Sequence, residues 1–109
     1  MNATIIRDDT PIEAVKGASY DIKIEVKNIG TQIWKDSNRI CLSILINGKD
    51  EGHRSCIPPN SEIRPRESII FTLSNVQFYD PSGYFIEYQM VEESGHYFGE
   101  KQRVNITVN

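Results

Sequence analysis

Histidine, cysteine and tryptophan are scarce in this sequence, and their scarcity excludes several kinds of site. The 109 residues include two histidines, two cysteines and one tryptophan. The histidines fall in separate predicted hairpins, and the cysteines lack the paired spacing of zinc ligands, so we expect no metal site and no cofactor. There is also no glycine-rich phosphate loop and no serine in a nucleophile-elbow motif. The sequence therefore predicts a protein that is not an enzyme.

Long apolar runs and basic clusters are absent as well. No segment approaches the roughly 18 apolar residues of a membrane-spanning helix, and the net charge is -3. Nucleic acids and anionic membranes both attract a basic face, so we expect neither a nucleic-acid partner nor membrane insertion. The length is that of one domain, 1–109, which we interpret as a module of a larger protein.

The sequence does contain regular alternation. Apolar positions recur with period two, and clusters of Gly, Pro, Asn and Asp arrive about every ten residues, which is typical of an all-β sandwich or barrel. We predict an immunoglobulin-like β-sandwich of about seven to eight antiparallel strands, with a small closed barrel as the alternative. The expected strands include 3–7, 20–27, 39–46, 67–74, 84–91 and 97–108, with 12–17 as an edge segment, 58–66 as a rigid loop and 75–83 as a long connection.

The segment 28–34 is the predicted centre of the core. It holds the single tryptophan, Trp34, behind an Asn28-Ile29-Gly30 turn, and Asn and Gly tolerate the positive φ that such turns often need. A large indole supplies apolar area to bury, so Trp34 is predicted to anchor the core; a ligand platform is the alternative. The other predicted core residues are Ile22, Ile24, Val26, Phe71 and Tyr88.

The two cysteines flank a hairpin signal at 47–50. A two-residue Gly48-Lys49 loop of type II′ sets Cys41 opposite Cys56 and Ile40 opposite Ile57. Directly opposed residues in a non-hydrogen-bonded pair come close enough for a bridge. The residues leave two states open: a cross-strand disulfide, or two reduced thiols that face each other.

Four short motifs, taken in order, resemble a known family. They are Asn28-Ile29-Gly30-Thr31-Gln32-Ile33-Trp34, Ile63-Arg64-Pro65-Arg66-Glu67, Pro81-Ser82-Gly83-Tyr84, and Gly95-His96-Tyr97-Phe98-Gly99 followed by Val104-Asn105-Ile106-Thr107-Val108. Together they are similar to the Ig-like domain of the "next to BRCA1" type, also called the four-tryptophan domain. Two features depart from the family: its Pro-Gly-Glu is Pro65-Arg66-Glu67 here, and Trp34 is the one tryptophan that remains. The resemblance implies a non-catalytic sandwich, used in bacteria as an accessory module of cell-surface or carbohydrate-active proteins and in eukaryotes for protein interaction.

Two functions are therefore open. The first is an interaction or accessory module, whose partner is another protein or the other domains of a parent chain and which docks through a sheet edge or the turns near Trp34. The second is a carbohydrate-binding module, because planar rings can stack on sugar faces. Its candidate ligand-facing residues are Phe78, Tyr79, Phe85, Tyr97 and Phe98, for which packing in the core or in loops is the alternative.

Overall fold

The computed structural model of this protein shows an all-β chain whose two main sheets pack into a sandwich. It describes residues 1–79, 81 and 83–109, and it omits the side chains of 50–53. A short 3-10 turn covers Asp36–Asn38, and the expected turn at 80–83 includes two residues outside the description. The strands are β1 (Ala3–Asp8), β2 (Glu13–Ala14), β3 (Ser19–Asn28), β4 (Trp34–Lys35), β5 (Cys41–Ile46), β6 (Lys49–Cys56), β7 (Glu62–Ile63), β8 (Ser68–Gln77), β9 (Tyr84–Val91) and β10 (Tyr97–Val108).

The strands form one narrow sheet, one wide sheet and a small ribbon. The three-stranded sheet has the order β1-β3-β8, the five-stranded sheet has the order β2-β10-β9-β5-β6, and β4 pairs with β7. The expectation of antiparallel pairing is wrong for one pair, since β2 runs parallel to β10. Pro11 separates β1 from β2, and the chain crosses from the narrow to the wide sheet there without a hairpin reversal.

The core lies between the two sheets and follows the alternation of the sequence. Along β3 the apolar side chains point inward while Asp21 and Lys23 face water. Opposite them, β5 lies inside the wide sheet between β6 and β9, and its residues 41–44 are buried on both faces of the strand. The predicted core residues are all buried in one cluster: Ile22, Ile24, Val26, Trp34, Phe71 and Tyr88.

The turn that follows β3 depends on the buried side chain of Asn28. Its amide nitrogen donates to the carbonyls of Gln32 and Ile63, at 2.9 Å each, and its Oδ1 accepts the Gly30 N–H at 3.0 Å. The expectation of positive φ in this turn is wrong, since neither Asn28 nor Gly30 has one. Glycine is needed at position 30 for space, because a Cβ there would lie 2.8 Å from the backbone nitrogen of Asn2.

The strand β8 is entered through a tight turn with arginine at a position that favours glycine. The Glu67 N–H donates to the Arg64 carbonyl at 3.0 Å, and Pro65 and Arg66 occupy the central positions of this turn. Arg66 has φ of 78°, as the third residue of a type II turn requires. This is the position where the four-tryptophan pattern has glycine.

Replacing Arg66 by glycine is expected to stabilise the protein by about 1 kcal/mol. The left-handed conformation costs a non-glycine residue about 1–2 kcal/mol, and glycine removes this cost. Glycine also gives the unfolded chain more conformational freedom, which lowers the free energy of unfolding and offsets part of the stabilisation. Urea denaturation measures the difference. Arg66→Ala is the matched control, because it removes the charge and keeps the Cβ; equal stabilisation by both variants would contradict the conformational explanation.

The β5–β6 hairpin differs from the prediction at its tip. Asn47 and Gly48 both have positive φ, 52° and 78°, and Ile46 pairs with Lys49. The loop is therefore Asn47-Gly48 with the signs of a type I′ turn, one residue earlier than the predicted Gly48-Lys49 loop. Asn47 takes this role because its own N–H and Oδ1 also bond the backbone of Phe85.

Away from the tip the predicted register is observed. The pairing shifts between Ser43 and Leu45, and beyond this bulge Cys41 lies opposite Cys56. The Ile57 N–H donates to the Ile40 carbonyl at 3.0 Å, as the predicted register places them. Of the two states left open by the sequence, the structure has the disulfide, with an S–S distance of 1.97 Å.

Reduction of the disulfide is expected to lower the free energy of unfolding by about 3 kcal/mol. The cysteines are separated by 15 residues, and closing a loop of that size restricts the unfolded chain by about this amount. Urea denaturation with and without dithiothreitol measures the loss. The Cys41→Ala/Cys56→Ala double variant is the control, and a response of that variant to the reductant would show that the effect is not due to the bridge.

Candidate functional site

Phe78 is a core residue, and its assignment as ligand-facing is wrong. Its side chain is 2% exposed. The ring lies between Tyr20 and Tyr84, with centroid distances of 6.1 and 5.4 Å. It follows directly after the last residue of β8, in the segment that the sequence predicted as a long connection.

The other four candidate rings lie in separate places. Tyr79 and Tyr97 are exposed, whereas Phe85 lies under the guanidinium of Arg103, whose Cζ is 3.9 Å from the ring centroid. Phe98 packs edge-on against Trp34 at 5.7 Å. Tyr97 pairs with the last residue of β9 and Phe85 is the second residue of that strand, so these two rings are about 20 Å apart at the usual strand rise. These rings therefore form no common platform.

Trp34 is a core residue, at the end of the sandwich where β4 pairs with β7. It is 0% exposed, and its indole nitrogen has no hydrogen-bond partner among the described residues. The alternative of a ligand platform is wrong, because a fully buried ring offers no face to a ligand. Trp34 contributes apolar packing instead, against Phe98 and beside the Asn28 turn.

A cleft in the described surface lies between the outer strands β8 and β6. We call it the β6–β8 cleft, and its volume is about 480 Å³. Its floor is apolar and comes from both sheets, and its rim is polar. The floor consists of Ile22, Ile44, Ile46, Leu73, Val76 and Ile86; the rim consists of Arg54, Ser55, Thr72, Ser74, Asn75 and Gln77.

The position of the cleft follows from how the chain passes between the sheets. Residues 57–67 lead from β6 in the wide sheet to β8 in the narrow sheet. This crossing includes β7, which is bonded to β4 and to Asn28, so it covers the seam at the Trp34 end. Towards 72–77 no such crossing is described, and the apolar floor is open there.

The β8 strand forms one wall of the cleft and is longer than expected. The predicted strand ends at residue 74, whereas β8 continues to Gln77 through a bulge at Asn75, which has φ of 56°. The bulge is held by the Asn75 N–H, which donates to the carboxylate of Asp21 on β3. Sequence reasoning missed this wall because it assigned 75–77 to a connection, although the run from Ser68 to Gln77 carries no charge and no proline.

The opposite seam of the sandwich, between β1 and β10, is closed by polar contacts. The carboxylate of Glu100 accepts the Thr4 hydroxyl at 2.9 Å and the Ile5 N–H. The Gln102 amide donates to Asp8 at 2.6 Å. Backbone contact is equally close, because a Cβ on Gly99 would lie 2.8 Å from the Cβ of Ala3.

A buried chain of hydrogen bonds extends from this closed seam to the centre of the core. Thr10 donates its hydroxyl proton to Asp8, and its oxygen lies 2.7 Å from the hydroxyl of Tyr88. Since a threonine hydroxyl has one proton, Tyr88 is the donor to Thr10. Burial raises the pKa of Tyr88 well above its ordinary value, and the negative charges of Asp8 and Asp9 add to this effect.

Stability is expected to fall as the pH rises above about 10. Above that pH the unfolded chain loses the Tyr88 proton while the folded protein keeps it, so the free energy of unfolding decreases by up to about 1.4 kcal/mol per pH unit. Denaturation at pH 9 to 11.5 measures the slope, with Tyr88→Phe as control. The variant loses about 1 kcal/mol at neutral pH for the missing hydrogen bond and has a shallower alkaline slope; parallel slopes would exclude Tyr88 as the cause.

Within 1–79, 81 and 83–109, excluding the side chains of 50–53, no three His, Cys, Asp or Glu side chains lie together as metal ligands do. Among the same residues, no helix is long and apolar enough to cross a membrane. What the described structure does contain is a strand edge whose main-chain groups lie beside an apolar cleft.

Comparison with known proteins gives a likeness of fold. No family model matches the chain, and no curated protein matches it. Among solved structures, the archaellum periplasmic stator protein FlaG from Sulfolobus acidocaldarius is similar with a TM-score of 0.54 at 10% identity, covering 94% of this chain and 97% of that one. A superoxide reductase (neelaredoxin) from Ignicoccus hospitalis matches with a TM-score of 0.41 at 12% identity, covering 100% of this chain and 81% of that one. The Northeast Structural Genomics Consortium target SoR45 matches with a TM-score of 0.41 at 21% identity, covering 97% of this chain and 78% of that one. The chain therefore shares its overall β fold with FlaG across almost its whole length.

Proposed function

We propose that this chain is a non-catalytic, Ig-like interaction module of a larger protein, and that it docks another polypeptide at the free edge of β8. The observation that carries the proposal is the β8 edge itself. Ten residues long and free of charge, β8 pairs with β3 on one side and with no described strand on the other. A strand edge of this kind presents unpaired N–H and C=O groups that bind an extended segment.

The Ig-like part of the proposal rests on strand order. In an Ig domain one sheet has the order A-B-E-D and the other contains C, F and G, with additional strands beside C in some members. Here β1, β3 and β8 correspond to A, B and E, while β10, β9, β5 and β6 correspond to G, F, C and C′. The resemblance to the four-tryptophan domain agrees with this assignment, and that family includes interaction modules.

The placement of the aromatic rings favours a protein partner over a carbohydrate. Sugar binding in the predicted form needs several exposed rings on one face, and Tyr79 and Phe85 are not arranged with Tyr97 and Phe98 in that way. The β6–β8 cleft, in contrast, combines an apolar floor with a hydrogen-bonding edge. A glycan array in which binding disappears with Tyr79→Ala would support the carbohydrate alternative.

Photo-crosslinking in the cells of origin tests the proposal. With benzoylphenylalanine at Thr72, which is exposed on β8, we expect a covalent adduct to a polypeptide after irradiation. The same group at Thr107, which is exposed on β10 at the other side of the sandwich, is the matched control and is expected to give no such adduct. The absence of an adduct at Thr72, or equal adducts at both sites, would contradict docking at β8.

A further inference from the structure

The narrow sheet leaves part of the wide sheet uncovered. Neighbouring strands lie about 4.8 Å apart, so five strands span about 19 Å and three strands about 10 Å. At the closed seam the difference is taken up by β10, which contacts β1. At the other side β6 also approaches β8, and the β6–β8 cleft marks the open space beside 72–77 of β8 that a fourth strand of the narrow sheet would cover.

Of the outer strands of the two main sheets, β8 is the one that is long and carries neither charge nor proline. The outer edge of β1 is occupied by the Glu100 carboxylate, which accepts the Ile5 N–H. The strand β2 has two residues and follows Pro11, and the sequence of β6 contains Lys49, Asp50, Glu51 and Arg54. Short length, proline, charge and bulges all discourage pairing at an edge. The β8 strand is ten residues long without charge or proline, its bulge lies at Asn75, and its outward-facing Ile70 is 52% exposed.

The Ig strand order identifies the missing neighbour. Strand D lies beside strand E in the order A-B-E-D. In this chain the segment between β6 and β8 crosses at the Trp34 end and forms the two-residue β7, so no described strand pairs with β8 at the edge away from β3. The place of strand D is therefore filled by no described part of the chain, along the part of β8 that borders the open cleft.

We infer that the partner supplies a fourth strand to the narrow sheet: an extended polypeptide segment that pairs with 72–77 of β8 and inserts every second side chain into the β6–β8 cleft. The inference rests on the proposed function and specifies its partner. Because side chains alternate across a strand, the inserted ones face the apolar floor and must be apolar. The free face meets water and takes polar residues.

The cleft also limits the size and charge of the segment. The open part of β8, 72–77, is about six residues long and includes the bulge at Asn75. Because two residues at a bulge oppose one on the partner, an extended segment of about five residues pairs with it. A volume of about 480 Å³ accommodates a few aliphatic side chains. A charged side chain on the inward side of the segment would lose its hydration against Ile22, Ile44 and Leu73. The described floor is apolar and offers that charge no partner of opposite sign, so a charge there is unfavourable.

Two synthetic peptides of equal composition test the inference. The first alternates valine and threonine between terminal lysines; the second has the valines and threonines in two blocks, which breaks the alternation. Titrated into the isotopically labelled protein, the alternating peptide is expected to shift the NMR signals of 72–77 and to slow hydrogen exchange of their outward amides. The block peptide is expected to shift them weakly.

A pair of substitutions separates binding from stability. Leu73→Lys brings a charge to the cleft and is expected to weaken binding of the alternating peptide by about tenfold or more, because that charge must be desolvated. Val104→Lys is the matched control: both residues are partly buried and pack on the core, and Val104 lies on β10. Circular dichroism establishes that each variant is folded; if Leu73→Lys does not fold, the comparison of the two peptides decides alone.

Three results would overturn the inference. Equal shifts with both peptides, or no shift in 72–77, would show that no alternating strand is accepted. A dimer of the free protein in sedimentation, with β8 amides already protected, would show that the occupant is a second copy of this chain. Any of these three results together with an adduct at Thr72 would leave the interaction function in place. The absence of that adduct would contradict the interaction function itself.

Discussion

A wide sheet packed against a narrow one is the constraint on which this structure depends. Five strands cannot be covered by three, so apolar side chains at the sides of the wide sheet need other cover. The chain solves this differently at its two seams. At one side β10 contacts β1 directly, and at the other the crossing 57–67 covers the half of the seam that lies at the Trp34 end.

The closed parts are held by polar groups that are satisfied inside the protein. The amide of Asn28 joins the turn after β3 to β7, and the Tyr88 hydroxyl reaches Asp8 through Thr10. Buried polar groups of this kind stabilise one arrangement of the segments, because any shift would leave a donor or acceptor unpaired. The β6–β8 cleft, in contrast, is open in the described structure.

Much of the fold could be predicted from the sequence because period-two alternation is local. The run from Tyr20 to Lys27 shows the inward and outward faces of β3 directly, and the register of Cys41 with Cys56 follows from strand pairing across one hairpin. The details that could not be predicted depend on distant contacts. Asn47 forms the hairpin tip because it also bonds Phe85, and Gly30 is required by the backbone of Asn2, neither of which is visible in a local pattern. The site was missed for a related reason: a charge-free strand looks ordinary until the sheet order shows that one of its edges has no neighbour.

The contact between Glu100 and Thr4 also has a consequence for how the molecule folds. The two residues are 96 positions apart in the chain, and β10 pairs with β9 while touching β1. Closing so long a loop costs entropy before its contacts contribute, which makes folding slow in a chain dominated by such pairings. During synthesis, β1, β3 and β8 leave the ribosome before the strand that closes the sandwich over them. Until β10 emerges, the nascent chain exposes its apolar faces, and this is the interval in which it is most exposed to aggregation and to chaperone binding.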